Sequence, residues 1–99
     1  MNNAEERMIK AKEMYDVVAS DNEKLRNFIE VLKEMPERME PLSDYYFNEW
    51  MEDVSELEDT DFHNEVMNQD SIYEEIADQY DMMKEIILIA AKYINKEFD

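Results

Sequence analysis

The chain has 99 residues, 44% of them hydrophobic, with 27 acidic residues against 10 basic ones and a formal net charge of -17. A charge of that sign repels phosphate backbones and anionic bilayers, so it argues against direct nucleic-acid or membrane binding and favours a basic partner. The absence of Cys removes disulfides and thiolate metal sites, and the absence of Gly, with Pro only at 36 and 41, removes the residues that hairpin turns and phosphate-cradling loops use.

What remains is an all-α expectation, a single acidic helical domain over residues 1–99. No run approaches the ~20 apolar residues of a membrane span. The start, MNNAEERMIK, lacks the apolar stretch of a signal peptide, so a soluble, cytoplasmic protein is expected.

In chain order, Met8, Ala11, Tyr15, Val18, Asn22, Leu25, Ile29 and Leu32 recur at alternating spacings of three and four, which predicts one stripe of a long helix. Met14, Phe28 and Met35 widen it. Asn22 is the polar break in this seam, of the kind that fixes register against a partner helix or faces water. Ser20 and Glu23 match a capping box, but neither Gly nor Pro intervenes, so continuity is favoured. Pro36 disfavours helical geometry at Met35, which predicts a helix end near residue 34 or 35 and a turn through MPERMEPLSDYY.

Tyr46, Trp50, Val54 and Leu57 then share a helical face, predicting a shorter helix over 43–57 with Ser43 or Asp44 as its cap. EDTDFHNEVMNQD has no sustained period and reads as an irregular connection. Asn68 and Asp70, with Ser71 and Glu74, supply caps for a third helix, whose stripe runs Tyr73, Ile76, Tyr80, Met83, Ile87, Ala90 and Ile94. Ile72, Ile86 and Ile89 add a second flank. Two helices of roughly 25 to 32 residues are expected to form an antiparallel hairpin, with the short middle helix completing a three-helix, bundle-like domain.

The charge is concentrated. Residues 1–38 hold seven basic and nine acidic side chains, and residues 84–99 hold three of each, whereas residues 39–83 hold fifteen acids and no Lys or Arg. Within this segment EWMEDVSELEDTDF, residues 49–62, carries Glu49, Glu52, Asp53, Glu56, Glu58, Asp59 and Asp61 around an apolar face of Trp50, Val54 and Leu57. A solvated amphipathic helix accounts for the two faces. It leaves the missing basic residues unexplained, because like charges four apart on a helix cost a few tenths of a kcal/mol each.

Mimicry of a polyanion accounts for both. If helical throughout, the segment would carry roughly one charge per 4.5 Å, against about 1.7 Å in duplex DNA and ~3.4 Å in a single strand.

Catalytic and metal chemistry find little support. DTDFHNEVMNQD, residues 59–70, has a rough likeness to a calcium loop, with Asp59, Asp61 and His63 at the first, third and fifth positions and Asp70 at the twelfth. Asn64 replaces the sharp-turn Gly, His suits a hard cation poorly, and Asp is shorter than the bidentate Glu expected last. His63, the single His, cannot build a zinc site alone. No nucleophile elbow, phosphate loop or reactive thiol is present. No cofactor, metal or enzymatic activity is expected. The aromatic run DYYFNEW, residues 44–50, plugs a hairpin end or leaves a ring or two exposed as partner anchors.

Tyr45-Tyr46, then Glu49-Trp50 and Glu52-Asp53, then Asp70 with Ile72-Tyr73 opening the last helix, resemble the layout of a small bacterial family catalogued as domain of unknown function 4298. The likeness covers most of residues 5–88. The family pattern has small residues after the tyrosines, and Leu-Pro, basic residues and a Gly before the last helix. Phe47-Asn48 and DTDFHNEVMN stand here instead, which makes this chain a more acidic relative. The resemblance implies a helical single domain and no particular activity.

The expected function is a non-enzymatic interaction module that docks on a basic surface of a partner, such as a nucleic-acid-binding protein or nuclease, and can act there as a nucleic-acid mimic and inhibitor. Glu49, Glu52, Asp53, Glu56, Glu58, Asp59 and Asp61 supply the field, and Tyr46 with Trp50 the apolar anchor. The competing expectation is a structural or regulatory helical module that pairs through its apolar seams, with a second copy as a homodimer or with another helix, its acidity serving solubility.

Overall fold

A computed structural model describes residues 2–96. The described residues form an all-α chain: a long helix α1 (Asn3–Asn48), a short helix α2 (Trp50–Leu57), a single 3₁₀ turn (Glu65–Met67) and a long helix α3 (Ser71–Ile94). The contacts divide the chain between Glu37 and Arg38 into two units.

The first unit is helical from Asn3 onward. Asn2 caps it, its side-chain Oδ1 accepting from the Glu5 amide at 2.8 Å while its carbonyl accepts from the Glu6 amide at 3.1 Å. Glu5 and Glu6 sit in the first turn, where the helix dipole favours negative charge. The helix runs unbroken through Ser20–Glu23, as expected. No residue of α1 is buried, and the stripe from Met8 to Ile29 is exposed; only Leu32 and Met35 in this unit are half-buried.

The expected helix end at 34 or 35 does not occur. Pro36 and Pro41 both lie inside α1, and Ser43 and Asp44, expected to cap a second helix, are interior residues of the first. Proline in a helix interior costs about 3 kcal/mol, because the carbonyl four residues earlier loses its amide partner. Here nothing competes for the chain: there is no Gly, and strong helix formers flank both prolines. The half-buried Leu32, Met35, Met39, Leu42 and Tyr46 follow one another at three and four, a phase that a turn would have broken.

The break comes at Glu49 instead, with φ -127° and ψ -23°. Just before it, the Asn48 side chain donates to the Asp44 carbonyl at 2.8 Å, the bond with the turn below that makes Asn a poor interior residue. The amide ladder spans the break, from Glu49 N to Tyr45 O at 2.9 Å and from Asp53 N to Glu49 O at 3.1 Å. Glu52 and Asp53 then occupy the first turn of α2. The middle helix is therefore eight residues long, Trp50–Leu57, rather than the expected 43–57.

The core of the second unit sits where α2, the 3₁₀ turn and the start of α3 meet. Trp50 and Ile72 are 8% and 2% exposed and are the only buried residues among those described. The Trp50 indole N–H donates to the Val66 carbonyl at 2.7 Å, tying α2 to the 3₁₀ turn, which in turn lies against α3. Leu42, Val66 and Ile72 line a shallow groove of about 300 Å³.

In α3 the covered face is Ile72, Ile76, Gln79, Met83 and Ile86, one position off the expected stripe. Of the expected residues Ile76 and Met83 are half-buried, while Tyr73, Tyr80, Ile87 and Ile94 are exposed. A helix with two apolar flanks can present either, and Ile72 in the core selects this one. The outward Tyr80 ring has a neighbour in Lys84, whose Nζ lies 4.6 Å from the ring centroid.

Caps before α3 come from Asn68, which accepts from the Asp70 amide at 2.9 Å, and not from the Asp70 side chain. Beyond the helix, Lys96 takes a left-handed φ of 61° where other chains place Gly.

Replacing Pro36 by Ala is expected to stabilise the chain to urea by up to about 3 kcal/mol and to raise its helical circular dichroism, since the missing amide is restored within a helix. A neutral or destabilising result would mean that Pro36 sits in a turn.

Candidate interaction surface

The acidic segment begins at the helix break. Glu49 is at the junction, Glu52, Asp53 and Glu56 are on α2, and Glu58, Asp59 and Asp61 follow in the turns after it. All are exposed except the half-buried Asp53. None of the seven forms an ion pair among the described residues.

Asp53 has a partner of another kind. Its Oδ2 accepts from the Tyr45 hydroxyl at 2.9 Å, joining the last turns of α1 to α2 across the break. This hydrogen bond, then desolvation and the negative charges of Asp53 and Glu49, raise the Tyr45 pKa above the ordinary tyrosine value, because ionising the phenol would break the bond and add a third anion.

Polar side chains order the connection that Gly would otherwise serve. Thr60 Oγ1 donates to the Leu57 carbonyl at 2.7 Å and accepts from the Phe62 amide at 3.2 Å, and Asn64 Oδ1 caps the 3₁₀ turn by accepting from the Val66 amide at 3.1 Å. Asn64, which stands where a calcium loop has its Gly, thus serves backbone. His63 is exposed, and among the described residues no three His, Asp or Glu side chains are grouped to hold a metal ion.

The aromatic run divides between core and surface. Tyr46 meets Trp50 with ring centroids 5.5 Å apart and Phe47 edge-on at 5.1 Å. Trp50 is committed to its own chain and Tyr46 is half-buried, whereas Phe47 is 67% and Met51 74% exposed. These four, with Asn48 and Gln69, line a hollow of about 350 Å³ that holds no carboxylate. Of the expected anchors, then, Trp50 and Tyr46 form the floor, and the reachable apolar groups are Phe47 and Met51. Met51 lies just past the aromatic run and off the Trp50–Val54–Leu57 face, so neither pattern in the sequence marks it. The Tyr45–Asp53 pair is eight residues apart across a helix break, outside the three- and four-residue spacings that signal a helical contact.

Below the ordinary tyrosine pKa of about 10 the Tyr45–Asp53 bond contributes its full stabilisation, and this is lost as pH climbs through the raised folded value. The Tyr45 ring resonance is therefore expected to titrate above the usual tyrosine range by NMR, and Asp53→Asn to bring it down. No change on that substitution would show that the bond does not form in solution.

The model of a family described as Domain of unknown function (DUF4298) matches residues 8–89, which include α2, the hollow and the acidic connection. No match to the chain was found among curated proteins or among solved structures. With the family model spanning most of its length, the chain belongs to the domain of unknown function 4298 family.

Proposed function

We propose that this chain is a non-enzymatic protein-interaction module whose acidic segment docks on a basic surface of a partner protein. The observation that carries this reading is the set of seven carboxylates from Glu49 to Asp61, none in an ion pair among the described residues, in a stretch from 39 to 83 without a single Lys or Arg. Self-repulsion among them is unrelieved within the chain and would be relieved by a cationic surface. Phe47 and Met51 offer apolar contact beside that field, and Met adapts to irregular surfaces. A nucleic-acid-binding protein or nuclease fits this chemistry, with the module occupying the groove that its phosphates would fill. Because α2 ends at Leu57 and residues 59–64 are turns and irregular connection, such mimicry would rest on charge carried by a helix and a loop together, not on one continuous acidic helix.

The hairpin anticipated from the sequence paired the whole first long helix with the last; within the second unit the proposal keeps only an antiparallel pairing of the last turns of α1 with α3. It is supported by Leu42 and Ile72 lining one groove. A second reading, pairing through the apolar seams, is favoured by the exposed stripe of α1.

Binding to a panel of purified basic nucleic-acid-binding proteins at two salt concentrations tests the first reading. Binding is expected to fall steeply with salt, to be competed by duplex DNA, and to weaken roughly tenfold or more, ~1.4 kcal/mol, when Glu49, Glu52, Glu56, Glu58, Asp59 and Asp61 become amides. Asp53 is left intact to preserve its bond with Tyr45. Equal binding by the amide variant would contradict the proposal.

A further inference from the structure

The first unit of the chain is a helix that lacks what ordinarily holds a helix of its length together. Most helical stability in proteins comes from burying an amphipathic face. Here that face is in solvent from Met8 to Ile29, with Met8 72%, Tyr15 67% and Leu25 56% exposed, and is half-buried only at Leu32. The face is regular: Met8, Tyr15, Asn22 and Ile29 fall every seven residues, and a second set from Ala11 to Leu32 falls every seven between them, giving four heptads of a coiled-coil seam.

We propose that a second copy of this chain covers this seam, the two α1 helices pairing in parallel and in register. This rests on the second of the two readings above and is independent of the acidic surface. Three observations choose the occupant and its direction.

The first is Asn22. In a parallel, in-register pair each seam residue meets its own copy, so Asn22 meets Asn22 and the two carboxamides satisfy each other, which is how a single seam Asn fixes register. In the antiparallel pair that aligns the whole seam, Asn22 faces Val18 and its polar group is stranded.

Charge flanking the seam is the second. Asp21 and Arg26 form no ion pair among the described residues of their own chain. In the parallel pair Asp21 of one copy lies opposite Arg26 of the other, twice by symmetry and beside Asn22, and Phe28 lies opposite Lys33. In the antiparallel pair Asp21 faces Asp21 and Lys12 faces Lys33. The parallel pair has one like-charge encounter, Arg7 with Lys12, and Lys12 is already paired with Asp16 of its own helix.

Third, the net charge that drives two copies apart is located elsewhere. Residues 1–38 carry only two more acids than bases, so α1 is where two chains with a charge of -17 can approach.

The test uses the full chain. Analytical ultracentrifugation is expected to show a concentration-dependent dimer that persists or strengthens as salt is raised, because screening relieves repulsion between the acidic segments. This is the opposite salt response to docking on a basic partner, so failure of one reading is separable from failure of the other. The chain has no Cys, so a single introduced thiol reports direction. Ala11→Cys is expected to form a disulfide-linked dimer under mild oxidation, and Ser20→Cys, on the outer face, to form little.

An antiparallel pair would hold the two residues at position 11 about 27 Å apart, too far for a disulfide. Leu25→Glu is expected to give a monomer. A chain that is monomeric at every concentration, or a dimer in which Ala11→Cys links no better than Ser20→Cys, would overturn the proposal.

Discussion

The second unit is organised by one side chain. Trp50 turns inward from the start of α2, its indole N–H on the Val66 carbonyl, and the connection that follows α2 is thereby brought back to where Ile72 opens α3. Burying a Trp removes about 150–250 Å² from water, worth roughly 4–6 kcal/mol at ~25 cal/mol per Å² as an upper bound, and the hydrogen bond adds about 1 kcal/mol. With Trp50 and Ile72 the only buried residues among those described, these terms weigh heavily against the small net stability of any domain. The Thr60, Asn64 and Asn68 turns make the closure possible without glycine, by giving backbone amides side-chain acceptors.

So little burial has consequences for function. With two side chains buried among the described residues, apolar stripes on α1 and α3 and most of the acidic segment in and around α2 are in contact with water. Isolated exposed apolar residues are ordinary, but a seam sustained over four heptads is not. The acidic segment and the seam occupy different units, and the partners proposed for them are of opposite character, one cationic and salt-sensitive, the other apolar and salt-tolerant. A module with both can hold two copies together while each presents its carboxylates. On this view the charge serves recognition, and most of the excess of acids lies in residues 39–83, outside the heptads of residues 8–32.

Much of this was legible in the sequence because it depends on periodicity. The all-helical class, the long first and last helices, the start of α3 at Ser71 and the irregular connection after Leu57 follow from spacing and capping residues. The boundary between α1 and α2 was not. Pro36 argues for a helix end at 34 or 35, yet the helix runs on through Pro36 and Pro41 to Asn48, with strong helix formers on either side of both prolines and no Gly to end it. The face that α3 covers was equally hidden, since Tyr73 and Ile72 belong to adjacent flanks of similar apolarity and only the burial of Ile72 decides between them. In the candidate surface, the acids were plain from composition, whereas the exposure of Phe47 and Met51 and the Tyr45–Asp53 bond depend on how the chain bends at Glu49.

Trp50 is the only tryptophan, so its fluorescence reads the central claim directly. In the native chain its emission is expected to be blue-shifted and poorly quenched by acrylamide, and to become red-shifted and freely quenched in urea, in step with loss of helical circular dichroism. A native emission already red-shifted and quenched as readily as in urea would place the indole in water and contradict the closure on which the rest of the second unit depends.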